Sequence, residues 1–242
     1  MLFPLTSTGK QLMRLDYFVA HATGLSRAEV KRLIRAGAVS VPGLPQISAA
    51  TRLGEGQMVK LNGEPLALPE PRYLMLHKPV GVVCSTDDPR HPTVLSLLPA
   101  DQRAGLHIAG RLDLDTTGLV LLTDDGAWSH RVTAPGSGCR KTYLVSLAEP
   151  VSPAALTQLR EGVMLRGEKQ PTRPATVEQL TERQIRLSIS EGRYHQVKRM
   201  LAAVGNHVCA LHREAIGEIR LGDLDEGEQR PLSEQEVRLF SG

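Results

Sequence analysis

Apolar and polar positions along this chain follow two different periods, and the change of period marks out its elements. From Ser26 to Arg35, Val30, Leu33 and Ile34 share one helical face, while Arg27, Lys31, Arg32 and Arg35 share the other. Ser26 with Glu29 three residues on is a capping box, so the helix is predicted to start at Arg27, and Gly37 fits its end. The short Val39-Ser-Val41 that follows reads as a strand. Residues 63–71 hold three prolines in nine positions and predict a semi-rigid linker between a small unit, 13–62, and a larger one, 72–242.

Beyond the linker, Tyr73–Leu76 reads as a strand that runs into His77-Lys78-Pro79-Val80-Gly81 and resumes at Val82-Val83-Cys84. Strands are predicted at 119–123, 142–148 and 185–190, with a helix over 154–162. A turn from Ser190 leads into another helix, on which Val197, Met200, Leu201 and Val204 recur at helical spacing and Gly205 marks the end. His195, Lys198 and Arg199 lie on its opposite side. Antiparallel-looking strands with separate helices predict an α+β fold on a mixed, mainly antiparallel sheet. Residues 1–12 carry no periodic signal and are expected to form a disordered tail, with Met13 an alternative to Met1 as the start of translation.

Composition narrows the class. At 242 residues and 41% hydrophobic, the chain is long enough for one large core or two unequal ones. No stretch approaches the roughly 18 consecutive apolar residues of a membrane span, and Met1–Thr6 is too short and weakly apolar for a secretory signal. Cys84, Cys139 and Cys209 stand apart with no Cys-x-x-Cys, which predicts reduced thiols in a cytoplasmic protein. The histidines lack metal-ligand spacing, His207 and His212 coming nearest to a pair, so no metal is predicted. Residues 1–62 hold eight Lys/Arg against three Asp/Glu, and residues 218–242 hold three against seven. A basic head and acidic tail suggest that the head meets a polyanion. Aromatic residues make up only 3% of the chain, too few for stacking on exposed rings to be the main recognition device.

The chemistry concentrates in Gly110-Arg-Leu-Asp-Leu-Asp-Thr-Thr-Gly118, a polar insert at the start of the apolar run Leu119-Val-Leu-Leu122. It can be read as a plain turn, since Asp and Thr bond nearby backbone and Gly supplies positive φ. Asp113, Asp115, Thr117, Gly118 and Asp124 also fall on calcium-loop positions, but position twelve should be Glu and no amphipathic helix flanks the segment. Asp-x-Asp-x-Thr is, thirdly, the signature of aspartate-nucleophile phosphatases, in which the second carboxylate serves as acid/base. Here Gly110-Arg111 interrupts the apolar approach such enzymes have.

Four ordered motifs resolve the choice. Lys78-Pro79-x-Gly81, His107-Ile-Ala-Gly-Arg111-Leu-Asp113 through Leu119, Lys141-Thr-Tyr143-Leu-Val145 and Glu191-Gly-Arg-Tyr-His195-Gln-Val-Lys198-Arg199-Met200 occur in the order found in pseudouridine synthases. With the basic helix ahead of them, the chain resembles the ribosomal branch of that family, which joins an S4 RNA-binding module to the catalytic domain, from Met13 to about Leu239. Val83–Pro89, Trp128–Arg131 and Ala203–His207 make it most similar to the RsuA family, which acts on small-subunit RNA.

The resemblance implies an enzyme that isomerises a uridine of ribosomal RNA, uridine 516 of the 16S RNA in particular, without cofactor or metal. Large-subunit RNA is the alternative target. A phosphatase and a non-catalytic S4-type assembly factor are the remoter alternatives. Asp113 is implied as nucleophile or base, Tyr143 as the residue that stacks on the ring or accepts the C5 proton, and Lys198 as the cation paired with Asp113, with Arg199 the fallback. Arg111 is implied as a wedge that fills the place of the flipped uridine, with a phosphate contact as its alternative role, and Asp115 as a structural cap on the turn. His195, Arg27, Lys31, Arg32 and Arg35 are implied as RNA contacts. The partner is ribosomal RNA, free or in a partly assembled small subunit, and the protein is expected to be a monomer away from membranes.

Phosphate contacts position a protein on RNA without reading its sequence. Neutralising Arg27, Lys31 and Arg35 together is therefore expected to weaken RNA binding and flatten its salt dependence. A salt titration of affinity checks this, and unchanged affinity and slope would contradict it.

Overall fold

The computed structural model describes residues 13–54, 56–134 and 136–241; the expected tail at 1–12 lies outside them. The chain forms two compact units that divide between Glu70 and Pro71.

In the first unit, β1 (Met13–Arg14) leads into α1 (Leu15–Thr23) and α2 (Arg27–Arg35), followed by β2 (Val39–Ser40), β3 (Arg52–Leu53), β4 (Val59–Leu61) and β5 (Glu64–Leu66). The capping box forms as the sequence predicts: Ser26 accepts from the Glu29 amide, and the Glu29 carboxylate accepts from the Ser26 amide. Val30 and Ile34 are buried with Leu15, Val19, Val39 and Val59, while Arg27, Lys31, Arg32 and Arg35 all face solvent. β2, β4 and β5 make a small antiparallel sheet, and β1 pairs with β3. Glu64–Leu66, expected as part of the linker, is thus an edge strand; Pro65 is tolerated there because an edge leaves its missing N–H unneeded.

The second unit is built on β6 (Tyr73–Lys78), β7 (His107–Ala109), β8 (Thr117–Thr123), β9 (Lys141–Leu147), β10 (Thr176–Thr181), β11 (Gln184–Ile189), β12 (Val208–Ile216), β13 (Ile219–Arg220) and β14 (Gln229–Pro231). Between or after them come α3 (Gly126–Thr133), α4 (Pro153–Glu161), α5 (Gln196–Ala203) and α6 (Glu234–Arg238). The sheet runs β10-β11-β9-β12-β8-β6-β14, with β7 also on β8 and β13 on β12. Every pairing is antiparallel except β8 with β12, so the fold is α+β on a mixed, mainly antiparallel sheet.

Both faces of β8 are buried, which explains its unbroken apolar run. Val120 and Leu122 enter the larger core, with Leu156 and Leu159 of α4 and Val197, Met200 and Leu201 of α5. Leu119 and Leu121 enter the other core, with Trp128 and Val132 of α3. Val82–Cys84 does not resume a strand. Gly81 turns the chain at φ 82°, the Val82 carbonyl accepts from Lys78 instead of a ladder partner, and only Val83 makes a bridge, to Thr93.

The parallel pairing sets Gly118 opposite Arg213 and Thr117 opposite His212. Gly118 has φ 107°, and a Cβ there would stand 2.4 Å from the Arg213 carbonyl oxygen and 2.6 Å from its nitrogen. Only glycine lets the two strands approach this closely. Gly118→Ala is expected to lower stability by about 3 kcal/mol, combining backbone strain with overpacking. Urea unfolding measures this, and a loss well under 1 kcal/mol would show that the crossing can relax.

Candidate active site

The polar insert leaves β7 at Ala109 and enters β8 at Thr117, and two buried cations fix its path. Arg213, on β12, is 2% exposed. Its guanidinium donates to the carbonyls of Gly110 at 2.9 Å, Arg111 at 3.2 Å and Leu119 at 2.8 Å. Among the described residues no carboxylate lies within ion-pair distance of it. The second cation is Lys78, fully buried at the end of β6. Its Nζ donates to the carbonyls of Pro79 at 2.8 Å, Val82 at 2.7 Å and Leu114 at 3.3 Å. The Gly81 amide also donates to Leu114, and the Leu112 amide to the Cys84 sulfur. Burial pushes the Lys78 ammonium below its ordinary range, while Cys84, Asp115 and Asp113 pull the other way.

So held, the loop presents Asp113 with its side chain 30% exposed. One carboxylate oxygen lies 3.4 Å from His195 Nε2 and the other 3.4 Å from Lys198 Nζ. The same ammonium makes its shortest contact, 2.5 Å, with Asp115, whose side chain is 67% exposed. That hydrogen bond is the largest cause holding the Asp115 carboxyl below its usual range. The role of turn cap expected for Asp115 is therefore corrected: the turn closes through the Thr116 amide and Asp113 carbonyl, and the Asp115 side chain is Lys198's nearer partner.

Lys198 and His195 come from the start of α5. His195 is left-handed, at φ 45° and ψ 39°. The turn before it is tied by the Gln196 side chain, which accepts from the Arg193 amide and donates to Glu191. Arg193 in turn donates to Glu191 and to the carbonyls of Gln170 and Pro171. Arg199 is not an alternative partner for Asp113. Its guanidinium is committed to Glu168 at 3.1 Å and to the carbonyls of Tyr194 and Arg166. Projecting one residue on around the helix, it points to a different set of acceptors.

Tyr143 lies on β9, 8% exposed, in the same core as Leu112 and Val197, the neighbours of Asp113 and Lys198. Its hydroxyl makes no hydrogen bond among the described residues. Arg111 is exposed, and its side chain has no hydrogen-bond or ion-pair partner among them. Arg27, Lys31, Arg32 and Arg35 belong to the other unit.

Arg213 was missed by the sequence reading, although a signal was available. Along β12 the buried positions alternate as Leu211, Arg213 and Ala215, so period two puts a charge on an inward-facing position. No group of three potential metal ligands occurs among the described residues, and none of their helices is long and apolar enough to cross a membrane.

Comparison with known proteins gives a consistent result. Residues 72–203 match the family model for RNA pseudouridylate synthases. The chain is 56% identical over 227 residues to ribosomal small subunit pseudouridine synthase A of Escherichia coli strain K12, covering 93% of this chain and 98% of that protein. It is 50% identical over 226 residues to the protein of the same name from Vibrio cholerae, covering 93% and 98%. A solved crystal structure of a pseudouridylate synthase, 48% identical, superposes with a TM-score of 0.70 over 95% of this chain and all of that one.

Replacing Lys198 by Met is expected to return the Asp115 carboxyl toward the ordinary carboxylate value of about 3.9. Because that carboxyl is depressed in the folded protein, its pairing operates above the ordinary value and is lost as pH falls through the folded one. Carbon-13 NMR titration of the Asp115 carboxyl measures the change, and an unmoved titration would rule out Lys198 as its cause.

Proposed function

As the chain belongs to the RNA pseudouridylate synthase family, we propose that it isomerises a uridine of small-subunit ribosomal RNA, with Asp113 as its catalytic carboxylate. The resemblance directs the reading to uridine 516 of the 16S RNA. The observation that carries the proposal is the placement of Asp113, on a loop fastened by Arg213 and Lys78, between His195 and Lys198 at 3.4 Å each.

The reaction breaks the N1–C1′ bond, turns the uracil over and joins C5 to C1′; the C5 proton leaves and N1 gains one. Asp113 can serve it by attacking C1′, by attacking the ring or by removing the 2′ proton, and each route requires an ionised carboxylate. Lys198, 3.4 Å away, is the cation to which we assign the part of its counter-charge. At 3.4 Å the ammonium supports Asp113 without a short hydrogen bond occupying the oxygen.

Tyr143 offers a ring for the turned uracil to stack on, or a phenol oxygen for the C5 proton. A neutral phenol is an intrinsically weak proton acceptor, so stacking is at least equally suited to this residue. Flipping the uridine out costs a few kcal/mol, and the exposed Arg111 guanidinium can offset part of that by entering the gap. His195 meets the RNA beside Asp113. The exposed cations of α2 hold phosphates of structured RNA, in the manner of an S4 module. We propose that the enzyme acts as a monomer in the cytoplasm, on free RNA or a partly assembled small subunit.

Asp113→Asn is expected to abolish pseudouridine formation while leaving RNA affinity within about twofold of the parent, since the loop's main-chain anchors remain. Asp115→Asn releases an exposed ion pair, worth at most about 1 kcal/mol, and should slow the reaction by about fivefold or less. Pseudouridine is mapped by chemical tagging and primer extension, because the product has the mass of the substrate. Equal loss in both variants, or magnesium-dependent release of phosphate, would defeat the reading.

A further inference from the structure

Tyr194 is the most exposed aromatic residue among those described, with 77% of its surface open. Its ring is not loose on the surface. It stacks on His195 with centroids 3.8 Å apart and planes 19° from parallel, and His195 reaches Asp113. The left-handed backbone of His195 is unfavourable for a residue with a side chain and persists only where the surroundings hold it. Here they do: Gln196 ties the turn to Arg193 and Glu191, and Arg199 donates to the Tyr194 carbonyl. A strained and heavily anchored turn therefore holds an apolar ring open to water, with one face covered and the other free.

We propose that the Tyr194–His195 stack is a platform on which an unpaired base of the RNA, next to the target uridine, lies against the free face of Tyr194. The proposal deepens the isomerase reading and rests on it. A base on that face sits two ring spacings from His195, too far out to be the reacting uracil beside Asp113 and suitably placed for its neighbour in the strand. The shallow groove along α5, lined by His195, Lys198, Arg199, Ala202, His207 and Val208, adjoins the stack, but its Lys198 and Arg199 are already ion-paired with Asp115, Asp113 and Glu168, so the stack rather than the groove's charge carries the recognition. Stacking of bases on exposed aromatic rings holds single-stranded nucleic acid irrespective of sequence.

The test measures affinity of the full-length protein for small-subunit RNA transcripts, unmodified or carrying a single abasic site at each position flanking uridine 516. Tyr194→Ala should weaken binding of the unmodified transcript by about tenfold, and Tyr194→Phe should bind like the parent. At one flanking position the abasic transcript should weaken binding of the parent by a similar factor and that of Tyr194→Ala no further. Parental affinity in Tyr194→Ala, failure of Phe to rescue, or additive losses at every abasic position would overturn the platform. Failure of the parent to bind the transcript would do the same. Pseudouridine is assayed in the same samples: a parent that binds but forms none refutes the isomerase reading, while the affinities still decide the platform.

Discussion

Arg213 carries a positive charge into the interior and, among the described residues, meets no carboxylate there. A guanidinium stays charged under any condition in which the protein folds, so its desolvation has to be offset by hydrogen bonds, and three carbonyls supply them. Two of these belong to Gly110 and Arg111 and the third to Leu119, so one side chain grips the polar insert before and after Asp113. The grip requires β12 to lie beside β8, and the glycine at 118 permits that approach. The register of two strands far apart in sequence thereby becomes the position of a carboxylate.

On that rigid base the local electrostatics are deliberately uneven. One ammonium serves two carboxylates, short to the exposed Asp115 and longer to the more enclosed Asp113. A guanidinium fork would commit to one carboxylate in bidentate fashion, whereas an ammonium is a point charge that can be shared. Asp113 is left with the ammonium at 3.4 Å and no short hydrogen bond to it. His195 closes the other side, on a backbone whose strain is held by the Gln196 and Arg199 anchors.

Local features were legible in the sequence because local forces decide them. The capping box and apolar stripe located α2, the apolar run located β8, and helical spacing located α5 with Lys198 and His195 on its open side. The four ordered motifs pointed to the same loop that the fold presents. What escaped depends on contacts across the chain. Nothing near Lys198 indicates that Asp115 is its nearer partner, since 83 residues separate them. Pro65 resembled a linker residue because only the third strand of the small sheet explains it. Val82–Cys84 has strand composition, but Lys78 takes the carbonyl that a ladder would use. The low aromatic content suggested that exposed rings matter little, yet it gives no weight to one ring held open on His195, the residue that reaches Asp113.

The most direct test of the account is to incubate the purified protein with small-subunit RNA, large-subunit RNA and partly assembled small subunits, and to map pseudouridine in each by chemical tagging and primer extension. The account predicts one new pseudouridine, at uridine 516 of the small-subunit RNA or particle, formed without added metal or cofactor, and none in large-subunit RNA. Modification confined to large-subunit RNA, or no pseudouridine in any of the three, would contradict it.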